Sequence, residues 1–231
     1  MSFLIIRKGK IEPGSVPLLP EELRHIKARR LRREDTVFVG DGTDGRFPGR
    51  FSDDMKSVTV LDEKPETRIE PVRIVCTALP SGNRLDWMLQ KATELGATHF
   101  LPIISNRSGR TDFSLSRADK IIHEAAVQSE RFFLPLVYSP VELKNALGFI
   151  NKNISKDVSF SFLYTGEAKS FTEISCDKDS AFFIGPEGDF DTSEVIYFEE
   201  NGILPYSLGK NILKVETAVL AALSILAAKS M

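Results

Sequence analysis

The 231-residue sequence is short of cysteine, with two, of histidine, with three, and of tryptophan, with one, and it has no excess of either charge. Each scarcity excludes something. Cys76 and Cys176 stand in or near apolar runs with no Cys-x-x-Cys spacing, so they read as buried free thiols in a reducing cytoplasm. His25, His99 and His123 are scattered without metal-ligand spacing, so no metal site is expected. Lys and Arg (30) nearly balance Asp and Glu (32), which leaves no global field to draw nucleic acid. Any such partner must be held by a local patch. No Gly-x-Gly-x-x-Gly follows a strand pattern, and no Walker-type phosphate loop, Gly-x-Ser-x-Gly elbow or plausible Cys-His pair is present. The usual dinucleotide and triphosphate pockets and hydrolysis by a nucleophilic side chain are therefore disfavoured. The longest apolar segment, 218–228, is too short to span a bilayer and is interrupted by Ser224, and the N-terminus fits a first strand better than a signal peptide. A cytoplasmic protein with no membrane partner is expected.

What is present divides at a charged, proline-containing stretch, 62–71. Residues 1–68 show short apolar runs at 3–6, 37–39 and 58–61 between Gly-, Pro- and Asp-rich turns, the pattern of a small β domain. One short helix is expected after Pro20, carrying Arg24, Lys27, Arg29, Arg30, Arg32 and Arg33. Six cations in ten residues is a density suited to phosphate, although a solvated helical face gives the same pattern.

Residues 69–231 alternate strands with helices, which predicts an α/β domain with a parallel sheet and helices on both faces. Strands are expected at 72–78, 99–104, 136–138 and 158–164. One helix runs through Leu85, Met88, Leu89, Ala92 and Leu95 to a terminal Gly96, and another buries Ala118, Ile121, Ile122 and Ala125. Ser139-Pro140-Val141-Glu142 reads as a capped helix start.

Two stretches near the end carry the chemistry. An apolar run stops at Ile184-Gly185-Pro186-Glu187-Gly188, and a helix pattern begins at Asp191 or Thr192. About twenty residues later a short strand, 203–207, ends at Leu208-Gly209 before a helix from Val215. Each is a strand, a glycine-bearing loop and a helix, an arrangement that holds a ligand on backbone groups, although an ordinary strand-to-helix turn looks the same. With Thr165-Gly166 these are all strand-end loops. A pocket of this kind suits a small cofactor read by main-chain groups, and methyl donation from S-adenosyl-L-methionine fits because the sulfonium supplies the reactivity.

Ile184-Gly185-Pro186-Glu187-Gly188, followed by Leu208-Gly209-x-x-Ile212-Leu213-x-x-Glu216-Thr217-Ala218, resembles the signature of the SPOUT superfamily of knotted RNA methyltransferases. Within it the chain is most similar to the RsmE family, which methylates N3 of a uridine in small-subunit ribosomal RNA. The likeness extends to His25-Ile26, Leu31-Arg32 and Asp41-Gly42, and to Leu89-Gln90-Lys91-Ala92-Thr93-Glu94-Leu95-Gly96. It implies a PUA-like β-barrel joined to an α/β domain with a C-terminal trefoil knot, and a homodimer. By matching positions it implies a donor site at Leu163, Tyr164, Thr165, Gly166, Ile184, Gly185, Gly188, Ser207, Leu208, Gly209, Ile212, Leu213 and Thr217. Leu208, Ile212 and Leu213 are expected to present backbone to the ligand and side chains to the core.

Uridine N3 is a poor nucleophile until it loses its proton, so the site must favour the anion. Arg107 and Lys214 are the candidates for stabilising that charge, with Glu216 as proton acceptor or as the residue orienting Lys214. A first-turn glutamate that complements the helix dipole is the plainer reading of Glu216. The Arg24 to Arg33 cluster, joined by Arg84, is expected to grip RNA backbone. The chain departs from the family pattern at Ser81, Asn106, Glu130, Asp189, Lys210-Asn211 and Lys214-Val215. A non-catalytic RNA-binding or ribosome-assembly protein, an enzyme acting on a small nucleotide, and a methyltransferase for another RNA or atom remain open on the residues alone.

Overall fold

The computed structural model describes residues 2–7, 9–43, 45–67, 71–131, 133–175 and 178–230. The chain divides into two compact units, one of Met1–Glu70 with Ala126–Leu134, the other of Pro71–Ala125 with Pro135–Met231. The expected boundary after residue 68 and the second cysteine, Cys176, lie outside the described residues.

The first unit contains β1 (Ser2–Ile6), β2 (Gly14–Pro17), α1 (Pro20–Ala28), β3 (Thr36–Gly40), β4 (Gly45–Phe51), β5 (Ser57–Val60) and β6 (Glu66–Thr67). The strand order is β1-β3-β4-β5-β2, with β6 on β4, and only the β1–β3 pair is parallel. Phe3, Ile5, Val37, Val39, Phe51, Val58 and Val60 supply its core and receive Ile26 of α1. β4 escapes a sequence reading because Gly45, Pro48 and Gly49 look like a turn. Gly49 is needed there, since a Cβ would lie 2.6 Å from Val58 Cγ1 on the paired strand. α1 starts at Pro20 itself, a favoured first-turn residue, and the Glu22 carboxylate accepts the Leu19 amide at 2.7 Å and an ion pair from Arg7. The helix stops at Ala28, and Arg30 takes a left-handed backbone at φ 53°. Arg29, Arg30, Arg32 and Arg33 are therefore not helical, contrary to expectation, and follow α1 in the turn leading to β3.

The second unit begins with β7 (Arg73–Thr77), α2 (Arg84–Glu94), β8 (His99–Ile104), α3 (Leu115–Gln128), β9 (Leu136–Val137) and β10 (Val141–Glu142). The last turn of α3 is counted with the first unit. α4 (Leu143–Asn153), β11 (Val158–Leu163), β12 (Lys169–Ser170), β13 (Asp179–Ile184), α5 (Thr192–Glu200), β14 (Leu204–Ser207) and α6 (Val215–Lys229) follow. The sheet order is β10-β8-β7-β13-β11-β14-β12, with β9 on β8, and every pair is parallel. Ser139 to Glu142 does not start a helix. Val141 and Glu142 pair with Ile103 and Ile104 of β8, and α4 begins one residue later without a side-chain cap.

One sheet face carries Ile74, Cys76, Ala181 and Phe183 against α4 and α5. Phe162 of β11 and Phe198 of α5 stack there with ring centroids 4.5 Å apart. α6 packs on β7, β13 and α2. It is fixed at its far end by buried Arg73 of β7, whose Nη2 donates to Leu226 O at 3.2 Å and Ser230 Oγ at 2.7 Å. α2 closes as expected at Gly96 (φ 96°), with Ala97 N–H on Ala92 O and Gly96 N–H on Thr93 O. A Cβ on Gly96 would also lie 2.8 Å from Arg73 Nη1. No helix among the described residues is long and apolar enough to cross a membrane.

Candidate active site

β13, β11 and β14 are adjacent and parallel, so their carboxyl ends open at one edge of the sheet. The loops leaving them, with Val215 and Ala218 of α6, line a cavity of about 310 Å³. β11 contributes Leu163, Tyr164 and Thr165, and β13 contributes Ile184, Gly185 and Gly188. The loop after β14 contributes Ser207, Leu208, Gly209, Ile212 and Leu213. Eleven of the thirteen residues expected there thus meet around one space.

The two others do not line it. Gly166 lies against the Tyr164 ring, where a Cβ would come within 2.4 Å of Cε1. Thr217 faces a different cavity. Ile212 lines the first cavity, but the residue is 84 % exposed, so the expected burial in the core fails. The loop from Ser207 bridges solvent and cavity, and the core is already filled by Val215, Ala218 and Val219 of α6.

The glycines carry the geometry. A Cβ at Gly185 would lie 3.1 Å from Phe190 N and 3.3 Å from the Asp189 carbonyl carbon, both backbone atoms. Gly209 has φ 131° and sits in a turn where its N–H donates to Ser207 Oγ at 3.2 Å. Asp189 takes φ 57°, an accessible conformation for aspartate, and its carboxylate accepts from Thr165 Oγ1 at 2.7 Å and from the Phe190 amide at 2.8 Å. With Glu187 and Lys210 it makes the lining more charged than the sequence suggests.

A second cavity, about 640 Å³, is lined by Ser81, Gly82, Asn83, Arg84 and Trp87 together with Lys214, Glu216 and Thr217. The segment from Leu213 to Ala218 thus serves both spaces, presenting Leu213, Val215 and Ala218 to the first and Lys214, Glu216 and Thr217 to the second. Arg84 joins them from the side: its Nη2 donates to Glu187 Oε1 at 2.6 Å, and its Nη1 lies 3.8 Å from Glu216 Oε1. Glu216 is only 6 % exposed, and its Oε2 has no hydrogen-bond partner among the described residues. Lys214 and Glu216 line the same cavity. Arg107 lines neither cavity and instead donates from Nη1 to Gly188 O at 2.7 Å, bracing the glycine loop.

That loop is held from its other end too. Asp191 caps α5 by accepting from the Glu194 amide at 3.0 Å, and Asn106 Nδ2 donates to the same carboxylate at 2.7 Å. Hydrogen bonds from Ser193, Asn106 and the Glu194 amide hold the Asp191 carboxyl down at about 2. This latch between Asn106 and α5 carried no visible sequence signal beyond the cap. Of the six cations in the Arg24 to Arg33 cluster, Arg24, Lys27, Arg30, Arg32 and Arg33 are exposed, Arg29 is half-buried, and Arg33 pairs with Asp53 at 2.6 Å. Arg84 belongs to the other unit and is engaged with carboxylates. No cluster of His, Cys, Asp or Glu able to hold a metal ion occurs among the described residues.

A family model described as an RNA methyltransferase domain matches residues 68–227. The chain belongs to that RNA methyltransferase family. It is 32% identical over 241 aligned positions to ribosomal RNA small subunit methyltransferase E of Bacillus subtilis, covering 96% of this chain and 93% of the relative. The protein of the same name from Synechocystis is 28% identical over 96% of this chain and 75% of its own length. Among solved structures, ribosomal RNA small subunit methyltransferase E from Neisseria gonorrhoeae bound to S-adenosyl methionine superposes with a TM-score of 0.81 at 26% identity, over 99% of this chain and 98% of that one. The likeness to these relatives extends over both units, and the cavity at the ends of β11, β13 and β14 lies inside the region the family model matches.

Proposed function

We propose that this protein is an S-adenosyl-L-methionine-dependent methyltransferase acting on N3 of a uridine in small-subunit ribosomal RNA. The observation that carries the reading is the first cavity. It is built from backbone loops at three adjacent strand ends, in a chain whose relatives are ribosomal RNA methyltransferases. The residues present fit the donor. Leu163, Ile184, Leu208 and Leu213 offer apolar walls to a purine, Gly185, Gly188 and Gly209 permit close approach to main-chain groups, and Glu187 and Asp189 offset a sulfonium and an ammonium. When bound, that donor supplies a methyl group on a cationic sulfur. The protein's work is to hold, orient and deprotonate.

In this reading Lys214 stabilises the charge that develops on the base, Glu216 takes up its proton, and Arg107 acts by bracing the glycine loop. Arg84 Nη1, 3.8 Å from Glu216 Oε1, offsets the charge of that carboxylate. The exposed cations of the first unit neutralise RNA phosphates, which gives affinity without sequence discrimination. The mainly antiparallel sheet of that unit supports a PUA-like barrel, and the return of α6 beneath β7 and β13 after the loop from Ser207 supports a trefoil knot. The side of α6 bearing Leu220, Ala221, Ser224, Ile225 and Ala228 is not fully covered, which supports a homodimer. Sedimentation at the mass of one chain at all concentrations would remove the dimer.

Calorimetric titration with S-adenosyl-L-methionine tests the central claim. Gly188→Val puts a side chain at the cavity wall where only the flexible Arg107 chain stands close, at 3.4 Å, so it is expected to fold. Saturable binding by the wild type and its loss in Gly188→Val is the expected result. No binding by folded wild-type protein would overturn the methyltransferase.

A further inference from the structure

We infer that a third cavity, of about 360 Å³ between the starts of α2 and α3, holds the ribonucleotide next to the target uridine. Arg110 and Arg117 take its phosphate, Asp86 its ribose 2′-hydroxyl and Phe113 a face of its base. This rests on the methyltransferase reading and extends it from the reacting base to the RNA chain on one side of it.

Three observations converge. The first is position. Ser81, Gly82 and Asn83 line this cavity and also the second one, where Lys214 and Glu216 stand, so the two spaces adjoin across a single turn. An RNA strand whose reacting base is handled by Lys214 and Glu216 brings its next nucleotide within reach of the third cavity.

The second is charge. Arg110 and Arg117 line the cavity with one carboxylate, Asp86, which leaves one net positive charge on the wall. Asp112, which pairs with Arg110, stands outside the lining with its side chain 83 % exposed to solvent. One positive charge matches the single negative charge of an internal phosphodiester better than the nearly double charge of a free monophosphate. Asp86 binds Arg117 through Nε and Nη2, and Nη1 has no partner among the described residues. An exposed ion pair contributes little to stability, so its effect here is to fix the arginine beside an unfilled space. α2 also begins without a side-chain cap, which leaves its first amides as further donors at the same turn.

The third is the apolar part of the wall. Leu85 and Leu89 are buried and form a floor, and Phe113 is only half-buried, an aromatic face beside cations of the kind on which unstacked bases rest.

The role of Asp86 follows from its neighbour. A carboxylate bonded to the phosphate-binding arginine stands where the sugar of that nucleotide lies. Inside a chain the 3′ and 5′ oxygens are esterified, and the 2′-hydroxyl is the one donor the sugar retains. A carboxylate has about four acceptor positions, so Asp86 can accept that hydroxyl while holding Arg117. DNA lacks the donor and leaves the carboxylate facing a phosphate with nothing between them. The cavity thus selects ribose.

The test uses the full chain and a short single-stranded RNA carrying one central uridine. Binding is read by fluorescence anisotropy, with donor binding measured in parallel by calorimetry. Replacing the riboses by deoxyribose one at a time is expected to weaken binding about tenfold at one position beside the uridine, the discrimination one hydrogen bond to a charged group supplies. In Asp86→Ala the same replacement is expected to change binding less than about twofold, because the acceptor is gone. Arg110→Gln combined with Arg117→Gln is expected to lower the slope of log affinity against log salt by about 0.7, the value for one phosphate of a single strand. Donor affinity is expected to stay as in the wild type in both variants. Equal tolerance of deoxyribose at every position by the wild type, or an unchanged salt slope, with donor binding intact, would overturn this site and leave the methyltransferase standing. Tighter binding of adenosine 5′-monophosphate than of the RNA would overturn it in the same way. Absence of donor binding by the wild type would overturn both.

Discussion

Two glycines of one loop are held for different reasons, and substitution separates them. A methyl at Gly185 meets the backbone of Asp189 and Phe190 at 3.3 and 3.1 Å, and backbone cannot step aside without moving the cavity wall. Gly185→Ala is therefore expected to destabilise the fold by about 1–3 kcal/mol and to weaken donor binding. Gly188→Ala meets only Arg107 carbons, the nearer at 3.4 Å, and is expected to change the melting temperature little. Thermal unfolding and calorimetry on the pair check this. At the residue scale the sequence announced a glycine-bearing loop at a strand end, a pattern that an ordinary strand-to-helix turn shares. It did not announce which neighbour makes each necessary. Nor did it reveal the latch of Asn106 on Asp191 or the grip of Arg84 on Glu187, since both join side chains more than eighty residues apart.

Elements show a second division. β7, β8, β11, β13 and α6 were legible because continuous apolar runs and helical spacing record burial directly. β10 was not, because two residues carry no periodicity and Ser139-Pro140 imitates a helix start until the pairing with β8 overrides it. The end of α1 was missed for a related reason: a run of arginines favours a helix, and only Arg30 at φ 53° shows where it stops. Two element-scale predictions follow from buried polar groups. Arg73 ties β7 to the last turn of α6, and Arg73→Met is expected to cost about 2–4 kcal/mol by leaving buried acceptors unmet, read by urea unfolding. His99, stacked on Tyr138 at 6.1 Å, is buried enough to push its pKa down to about 4, with Asp179 opposing the shift. The unfolded chain therefore takes up a proton near pH 6.5 that the folded protein refuses until about 4. The contribution of His99 is fully present above pH 6.5 and is lost as pH falls through that window, by on the order of 3 kcal/mol. His99→Gln should flatten this part of the stability curve.

For the molecule as a whole, composition indicated a balanced charge and the strand-helix alternation indicated the α/β unit, whereas strand order was out of reach because no local pattern encodes which strand lies beside which. That order has a consequence for how the chain folds. β7 pairs on one side with β8, about twenty-five residues away, but on the other with β13, where Arg73 lies opposite Ser180. Until β13 arrives, the Arg73–Thr77 edge is an open template of Ile, Val and Cys ready to pair with another molecule. Closing loops of this length precedes the contacts that reward them, so refolding should be slow and its yield should fall as protein concentration rises. Dilution from denaturant at a series of concentrations measures this, and a fast, concentration-independent recovery would contradict it. The last strand pairs and α6 also complete both cavities, so an incompletely folded chain has neither. Catalytic competence therefore reports on complete folding, and a ligand added during refolding acts only on molecules that have already passed the slow step.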